Sequence, residues 1–175
     1  MVLQDGSVYR GYAFGANNEA VGEVVFTTAN VGYPESLTDP SYKGQILVFT
    51  SPLIGNYGTS PDQWESDAIQ VSGAVIFDLT IPSHYTSVMG LDEWFRRESI
   101  PGIYRVDTRA LTVKLREVGV MMGAIADDVD RALKLIRDAL GMTTLTSQGL
   151  YRQARPFTMA MMINPVLELL IVVSR

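Results

Sequence analysis

The pattern of apolar positions in the first half of the chain predicts β-strands. Residues 22–28 are β-branched and aromatic, and the apolar run at residues 46–49 is typical of a strand buried on both faces. Residues 8–14 and 69–77 predict two further strands. Gly73 lies inside the second of these, which indicates a bulge or a close approach of another backbone.

The period then changes to that of helices. Leu91, Trp94 and Phe95 share one helix face by their spacing of three and four residues. Asp107 is a suitable N-cap for a second helix, which we expect to end at Gly119. Short strands are predicted at residues 102–106 and 120–125.

A last helix is predicted after Asp127 as its cap, ending at Gly141. Its inner face would hold Val129, Leu133, Ile136 and Leu140. Strands followed by alternating strands and helices predict an α/β fold, with a mixed sheet and helices on one side.

The chain changes character after Gly141. We expect one domain at residues 1–141 and a tail at residues 142–175, in which apolar residues show no clear amphipathic period. A truncated or aberrant gene product is one interpretation of the tail, and a lineage-specific extension is the other. Apolar tail residues without a core place would be exposed and would favour association: Met161, Leu167, Leu169 and Ile171.

Composition and charge exclude several classes of function. The chain has 47% hydrophobic residues, a net charge of -5 and no basic stripe, so we expect no nucleic-acid partner. It has no cysteine, which excludes disulfides, thiolate zinc sites and a cysteine nucleophile within it. No secretory signal is visible, and no apolar run reaches the roughly 18 residues of a membrane helix, so no membrane partner is expected.

The turn at residues 38–42 is the strongest candidate for binding a small ligand. Pro40 presets a backbone angle of the turn, and Asp39 can accept a hydrogen bond from the backbone two residues on. Both effects would direct the hydroxyl of Ser41, which offers one donor and two acceptor lone pairs. Stabilisation of the turn alone is the competing interpretation.

Other candidate groups carry weaker signals. The single histidine, His84, could ligate a metal with Asp78 and Asp92, or form a triad with Ser83 and Asp78, but no nucleophile elbow is present. A structural or solvated histidine is the alternative. No glycine pattern matches a phosphate-binding loop.

Two sets of charged residues are further candidates for a site. Four carboxylates could form an acid–base pair or could be solvated loop charges: Glu19, Glu23, Glu35 and Asp39. The run Asp107-Thr108-Arg109 is either a reactive cluster or a capped helix start.

Several motifs together carry a family resemblance. They are GYPESLTDPSY at residues 32–42, PLIGNYG at 52–58 and GIYRVDTRALT at 102–112. With residues 3–15, 20–28 and 65–77, they make the chain resemble the N-terminal domain of the small, glutamine-dependent subunit of carbamoyl phosphate synthetase over residues 1–138.

The resemblance implies a three-layer β/β/α fold of the swivelling type. It implies docking to a glutaminase domain and to a large synthetase subunit or fused synthetase region. It also implies that Ser41 completes the glutamine site, while the catalytic residues and any metal lie outside this chain. The parent enzyme would make carbamoyl phosphate from glutamine, bicarbonate and two ATP, with Mg or Mn, in the cytoplasm.

The resemblance leaves the pathway open between pyrimidine and arginine synthesis. Two alternatives also stay open at this point. A phosphohistidine carrier would use His84, and a non-catalytic remnant would have no synthetase partner.

Overall fold

The computed structural model describes residues 1–83 and 87–153, with side-chain surroundings described as far as residue 141. Its contacts separate two units, Met1–Leu140 and Gly141–Arg175. The sheet, its cores and the predicted site belong to the first unit. Among the described residues, no helix is long and apolar enough to cross a membrane.

The described residues contain nine strands and four α-helices. The strands are β1 Val2–Leu3, β2 Tyr12–Gly15, β3 Ala20–Thr27, β4 Ile46–Phe49, β5 Leu53–Ile54, β6 Gly73–Val75, β7 Asp78–Leu79, β8 Pro101–Tyr104 and β9 Met121–Ile125. The helices are α1 Tyr33–Thr38, α2 Leu91–Arg97, α3 Thr108–Val118 and α4 Val129–Gln153, with 3-10 turns at Pro40–Tyr42 and Pro61–Gln63.

Seven of the described strands form one mixed sheet in the order β1-β9-β3-β4-β6-β8-β2. Strands β3, β4, β6 and β8 run parallel to one another, with Val24 opposite Ile46 and Val75 opposite Ile103. Strand β9 is antiparallel to β3 and to β1, and β2 is antiparallel to β8. A separate parallel ribbon joins β5 and β7. The expected α/β class with a mixed sheet is confirmed.

Alternation along the buried strands produces two cores, one on each face of the sheet. Ile46 and Val48 of β4 face α3, where they pack with Leu111 and Leu115. Leu47 and Phe49 belong to the opposite core, which contains the buried residues of α1 and α2 together with Ile54 of the ribbon. The sheet therefore lies between α3 and a layer that contains the ribbon, which is a three-layer arrangement.

The helices are distributed over both faces of the sheet instead of lying on one side. Helix α2 packs on the face opposite α3, because Trp94 and Phe95 are buried against Phe14 of β2, with the Phe14 and Phe95 rings 5.1 Å apart. Helix α4 packs Ala132 and Ile136 on β1 and β9 in a third cluster.

The strand predicted at residues 69–77 is much shorter in the structure, where only Gly73–Val75 pairs in the sheet. The residues before this strand form hydrogen bonds with loop backbone instead. The N–H of Gln70 donates to the carbonyl of Leu37, and the carbonyl of Gln70 accepts from the N–H of Gly44. Ile69 and Val71 are nevertheless buried, which explains why the sequence pattern resembled a continuous strand. At Gly73, where a bulge or a close backbone approach was predicted, the nearest group is a side chain: a Cβ there would lie 2.9 Å from Ile125 Cδ1, and the nearest backbone atom, Pro101 O, would be 3.3 Å away.

The prediction that the last helix ends at Gly141 is wrong, since α4 continues to Gln153. A glycine inside a helix costs only about 1 kcal/mol relative to alanine and does not by itself stop the helix. The predicted inner face is confirmed for three of its four residues, because Ile136 is buried and Val129 and Leu133 pack partly buried against the same cluster. Leu140 departs from the prediction, since it is 41% exposed. The predicted tail residues from 154 onward, including Met161 and Leu167, lie outside the described residues.

Candidate functional site

Ser41 lies in the 3-10 turn between α1 and β4, at the amino end of the parallel strands, and is exposed. Asp39 Oδ1 accepts a hydrogen bond from Ser41 N at 2.8 Å. The predicted back-bond of Asp39 is therefore confirmed. The backbone N–H of Ser41, and then its hydroxyl, hold the pKa of the Asp39 carboxyl below its usual range. The hydroxyl of Ser41 offers one donor and two acceptor lone pairs for a further hydrogen bond.

Hydrogen bonds of Thr38 hold the backbone in place just before the turn. The fully buried hydroxyl of Thr38 donates to Pro34 O at 2.8 Å and accepts from Glu65 N, also at 2.8 Å. The carbonyl of Thr38 accepts from the Ser66 hydroxyl. The loop at residues 65–66 thus restrains the backbone immediately before Asp39, which makes the Ser41 turn a rigid platform.

Two tyrosines connect the GYP segment to the NYG segment. The hydroxyl of Tyr57 accepts from Gly32 N at 2.8 Å and from Tyr33 N at 3.2 Å. The hydroxyl of Tyr33 in turn donates to Gly58 O, and the two rings lie 4.5 Å apart. Gly32 is the N-cap of α1 and offers no side chain to the helix start, and Tyr57 accepts the N–H groups of the N-cap and first helical residues from a distant loop.

Burial raises the pKa of Tyr33 and of Tyr57, so both hydroxyls stay protonated at neutral pH. Sequence reasoning missed this pair. The signal that could have indicated it is a tyrosine beside a glycine in each of two turns, at Gly32-Tyr33 and Tyr57-Gly58.

Three of the four carboxylates that could have formed an acid–base pair have separate partners. Glu19 forms an ion pair with Arg131 at 2.7 Å, and Glu23 accepts from Gln45 Nε2 at 3.2 Å. Asp39 binds the Ser41 backbone. Glu35 Oε2 is buried without a hydrogen-bond partner in the described part of the chain. The separate partners of Glu19, Glu23 and Asp39 favour structural roles for these three carboxylates.

The groups considered with His84 have other partners, and His84 itself lies outside the described residues. Asp78 lies 3.4 Å from the guanidinium of Arg105. Asp92 accepts from Gly15 N at 2.7 Å and pairs with Arg96 at 2.9 Å. In residues 1–83 and 87–153, no group of three or more histidines and carboxylates is placed to hold a metal ion.

The run Asp107-Thr108-Arg109 is a capped helix start, as one of the two interpretations predicted. Asp107 Oδ1 accepts from Ala110 N at 2.9 Å. Thr108 is buried and its carbonyl accepts from the Thr112 hydroxyl, whereas Arg109 is exposed.

Comparison with known proteins gives consistent matches for this domain. The family described as "Carbamoyl-phosphate synthase small chain, CPSase domain" matches residues 1–125. The carbamoyl phosphate synthase small chain of Pyrobaculum aerophilum is 63% identical over 126 residues, which cover 72% of this chain and 36% of that protein.

Two further relatives carry the same name. The small chain of Pyrococcus furiosus is 58% identical over 78% of this chain and 40% of its own length. That of Saccharolobus solfataricus is 46% identical over 84% of this chain and 44% of its own length. The chain therefore spans about two fifths of the length of these curated relatives. These matches do not support the phosphohistidine carrier.

Proposed function

This chain belongs to the family of carbamoyl-phosphate synthase small chains, whose CPSase domain it carries, and on that premise we propose that it docks to the synthetase and completes the glutamine site. The observation that carries the proposal is the family match over residues 1–125, which includes the whole Ser41 turn. The partners would be a large synthetase chain, or a fused synthetase region, and the glutaminase domain that follows in such proteins.

In the proposed parent enzyme, a ligase, glutamine is hydrolysed and its ammonia is joined to bicarbonate at the expense of two ATP. ATP, with Mg²⁺ or Mn²⁺, would bind to the synthetase and not to this domain. The chain has no cysteine, so it cannot form the thioester intermediate of glutamine hydrolysis and should be inactive alone. Carbamoyl phosphate would serve pyrimidine or arginine synthesis in the cytoplasm.

Ser41 is the residue of this domain proposed to contact glutamine. Three features of its turn support that role: its exposure, the restraint by Asp39, and the buried Thr38 hydroxyl beneath. A restrained hydroxyl loses little conformational entropy on binding. Most of the free energy of its hydrogen bond to a charged end of the substrate would therefore contribute to the affinity for glutamine.

The test is Ser41→Ala in the complete enzyme, with Ser83→Ala as a matched control on another exposed serine. Loss of one hydrogen bond to a charged group should raise the glutamine KM about 10- to 100-fold. Synthesis from free ammonia should keep its rate, because ammonia bypasses the glutamine site. An unchanged glutamine KM in Ser41→Ala would contradict the proposed role.

A further inference from the structure

A groove lies at the carboxyl edge of the parallel strands, at the opposite end of β4 from Ser41. Thr50 follows β4, Phe77 lies just after β6, and Arg105 follows β8. The open space between them and α3 is about 760 Å³. In α/β sheets, the edge formed by the carboxyl ends of parallel strands is where binding crevices occur.

One face of α3 forms the other wall. Arg109, Val113 and Arg116 are spaced four and three residues apart, so they share one side of the helix. All three are exposed, while Leu111 and Leu115 on the opposite side are buried in the core. The helix rise places the two arginines about 10 Å apart, with Val113 between them.

The groove is basic although the chain is acidic overall, with a net charge of -5. Arg109 and Arg116 have no ion-pair partner within residues 1–83 and 87–141. Arg105 lies 3.4 Å from Asp78 but remains 56% exposed. Asp107, which caps α3, is the carboxylate in the groove lining and opposes one of the three arginine charges. The lining therefore keeps a net positive charge in the described part of the domain.

Apolar side chains accompany the arginines. Phe77 is 44% exposed and Val113 is 47% exposed, although both adjoin buried elements. A small free anion would use the guanidinium groups and leave these apolar surfaces in water. Arginines beside exposed aromatic and aliphatic groups are typical of the centres of protein–protein interfaces.

We infer that this arginine groove (Thr50, Phe77, Arg105, Arg109, Val113 and Arg116) is the docking surface for an acidic segment of the synthetase partner. The segment would present two carboxylates about 10 Å apart, flanking an apolar side chain that packs on Val113. The inference rests on the proposed function, since it locates the docking that the function requires.

The two ends of the sheet would then have separate tasks. The Ser41 turn at the amino end would face the glutaminase domain, and the arginine groove at the carboxyl end would hold the synthetase. Strands β3 and β4, with β6 and β8 beside them, would connect the two surfaces through the packed sheet. Substitutions in the groove should therefore weaken the complex without acting on the Ser41 turn.

The test measures the Kd between this chain and the purified large chain of the synthetase from the same organism, by isothermal titration calorimetry at low salt. The double variant Arg109→Glu/Arg116→Glu should weaken binding at least 30-fold, because it reverses both charges that meet the partner. The matched control is Arg97→Glu, which reverses an exposed arginine on α2 outside the groove and should stay within twofold. A second variant, Val113→Asp, should weaken binding at least tenfold.

The outcomes separate the inference from the proposed function. If the wild-type chain binds and both groove variants bind equally well, the groove assignment is overturned and docking elsewhere stands. If the wild-type chain does not bind the large chain, both the groove assignment and the proposed docking function fail. Binding of inorganic phosphate or succinate that the double variant abolishes, with large-chain affinity unchanged, would reassign the groove to a free anion. Self-association lost in the double variant, again with large-chain affinity unchanged, would reassign it to a second copy.

Discussion

Replacing Tyr57 by phenylalanine should loosen the segment that carries the Ser41 turn. The substitution keeps the ring, and with it the packing against Tyr33 at 4.5 Å between ring centroids. It removes the oxygen that accepts from Gly32 N at 2.8 Å and from Tyr33 N at 3.2 Å. Two N–H groups at the start of α1 then lack their acceptor in a partly buried place.

The cost follows from those two bonds. A buried donor left without a partner costs about 1–3 kcal/mol, and the longer bond to Tyr33 N contributes less than the shorter one. Because the region is only partly buried, water can replace part of the loss, so we expect about 2 kcal/mol in all. For a domain of this size, that corresponds to a fall in Tm of about 4–8 °C.

The assay is thermal unfolding followed by circular dichroism, with Tyr12→Phe as the matched control. Tyr12 is 66% exposed, and its hydroxyl makes no hydrogen bond to the described residues, so its Tm should change by less than about 1 °C. Equal Tm values for Tyr57→Phe and Tyr12→Phe would refute the argument that the Tyr57 hydroxyl caps α1.

Three further predictions concern other parts of the domain. Burial raises the pKa of Tyr33 above its ordinary value of 10.0, so the stability that depends on its neutral hydroxyl is complete below pH 10 and is lost as the pH rises beyond it. Alkaline urea titrations of Tyr33→Phe should show a shallower loss of stability than the wild type, and an equal slope would contradict the assignment. Gly22→Ala places a Cβ 2.3 Å from Gly44 O and should destabilise the domain by about 1–3 kcal/mol in urea. Gly90→Ala, whose Cβ would have no neighbour among the described residues nearer than 3.6 Å, should cost clearly less, since only the preference of the α2 N-cap for glycine over alanine is lost. Asp107→Ala removes the cap of α3 and should cost about 0.5–2 kcal/mol, and Asp107→Asn, which keeps an acceptor oxygen, should recover most of that stability.

Local chemistry accounts for the elements that were predicted correctly. Asp107 caps α3 and Gly119 ends it, because both act through bonds to residues at most four positions away. The Asp39–Ser41 bond was predictable for the same reason, since it spans two residues. The buried strand at residues 46–49 was evident because β4 lies in the middle of the sheet and each of its side chains meets a core.

The two errors have different causes. Residues 69–72 have the composition of a strand, but their backbone hydrogen bonds go to residues 37–45 instead of a sheet neighbour, and no local pattern specifies that result. Gly141 has the chemistry of a helix end, yet α4 continues through it, because a glycine inside a helix carries only a small local cost.

Motifs and contacts between near neighbours were enough to predict the family, the mixed α/β sheet and the restrained turn of Ser41. The cap that Tyr57 provides for α1 across 25 residues of chain, and the helices on both faces of the sheet, depend on long-range packing that no local pattern specifies. The same holds for the groove in which Phe77 and Arg105 lie beside Arg109 and Arg116. That groove forms because the parallel pairing of β4, β6 and β8 brings the carboxyl ends of separate strands to one edge of the sheet.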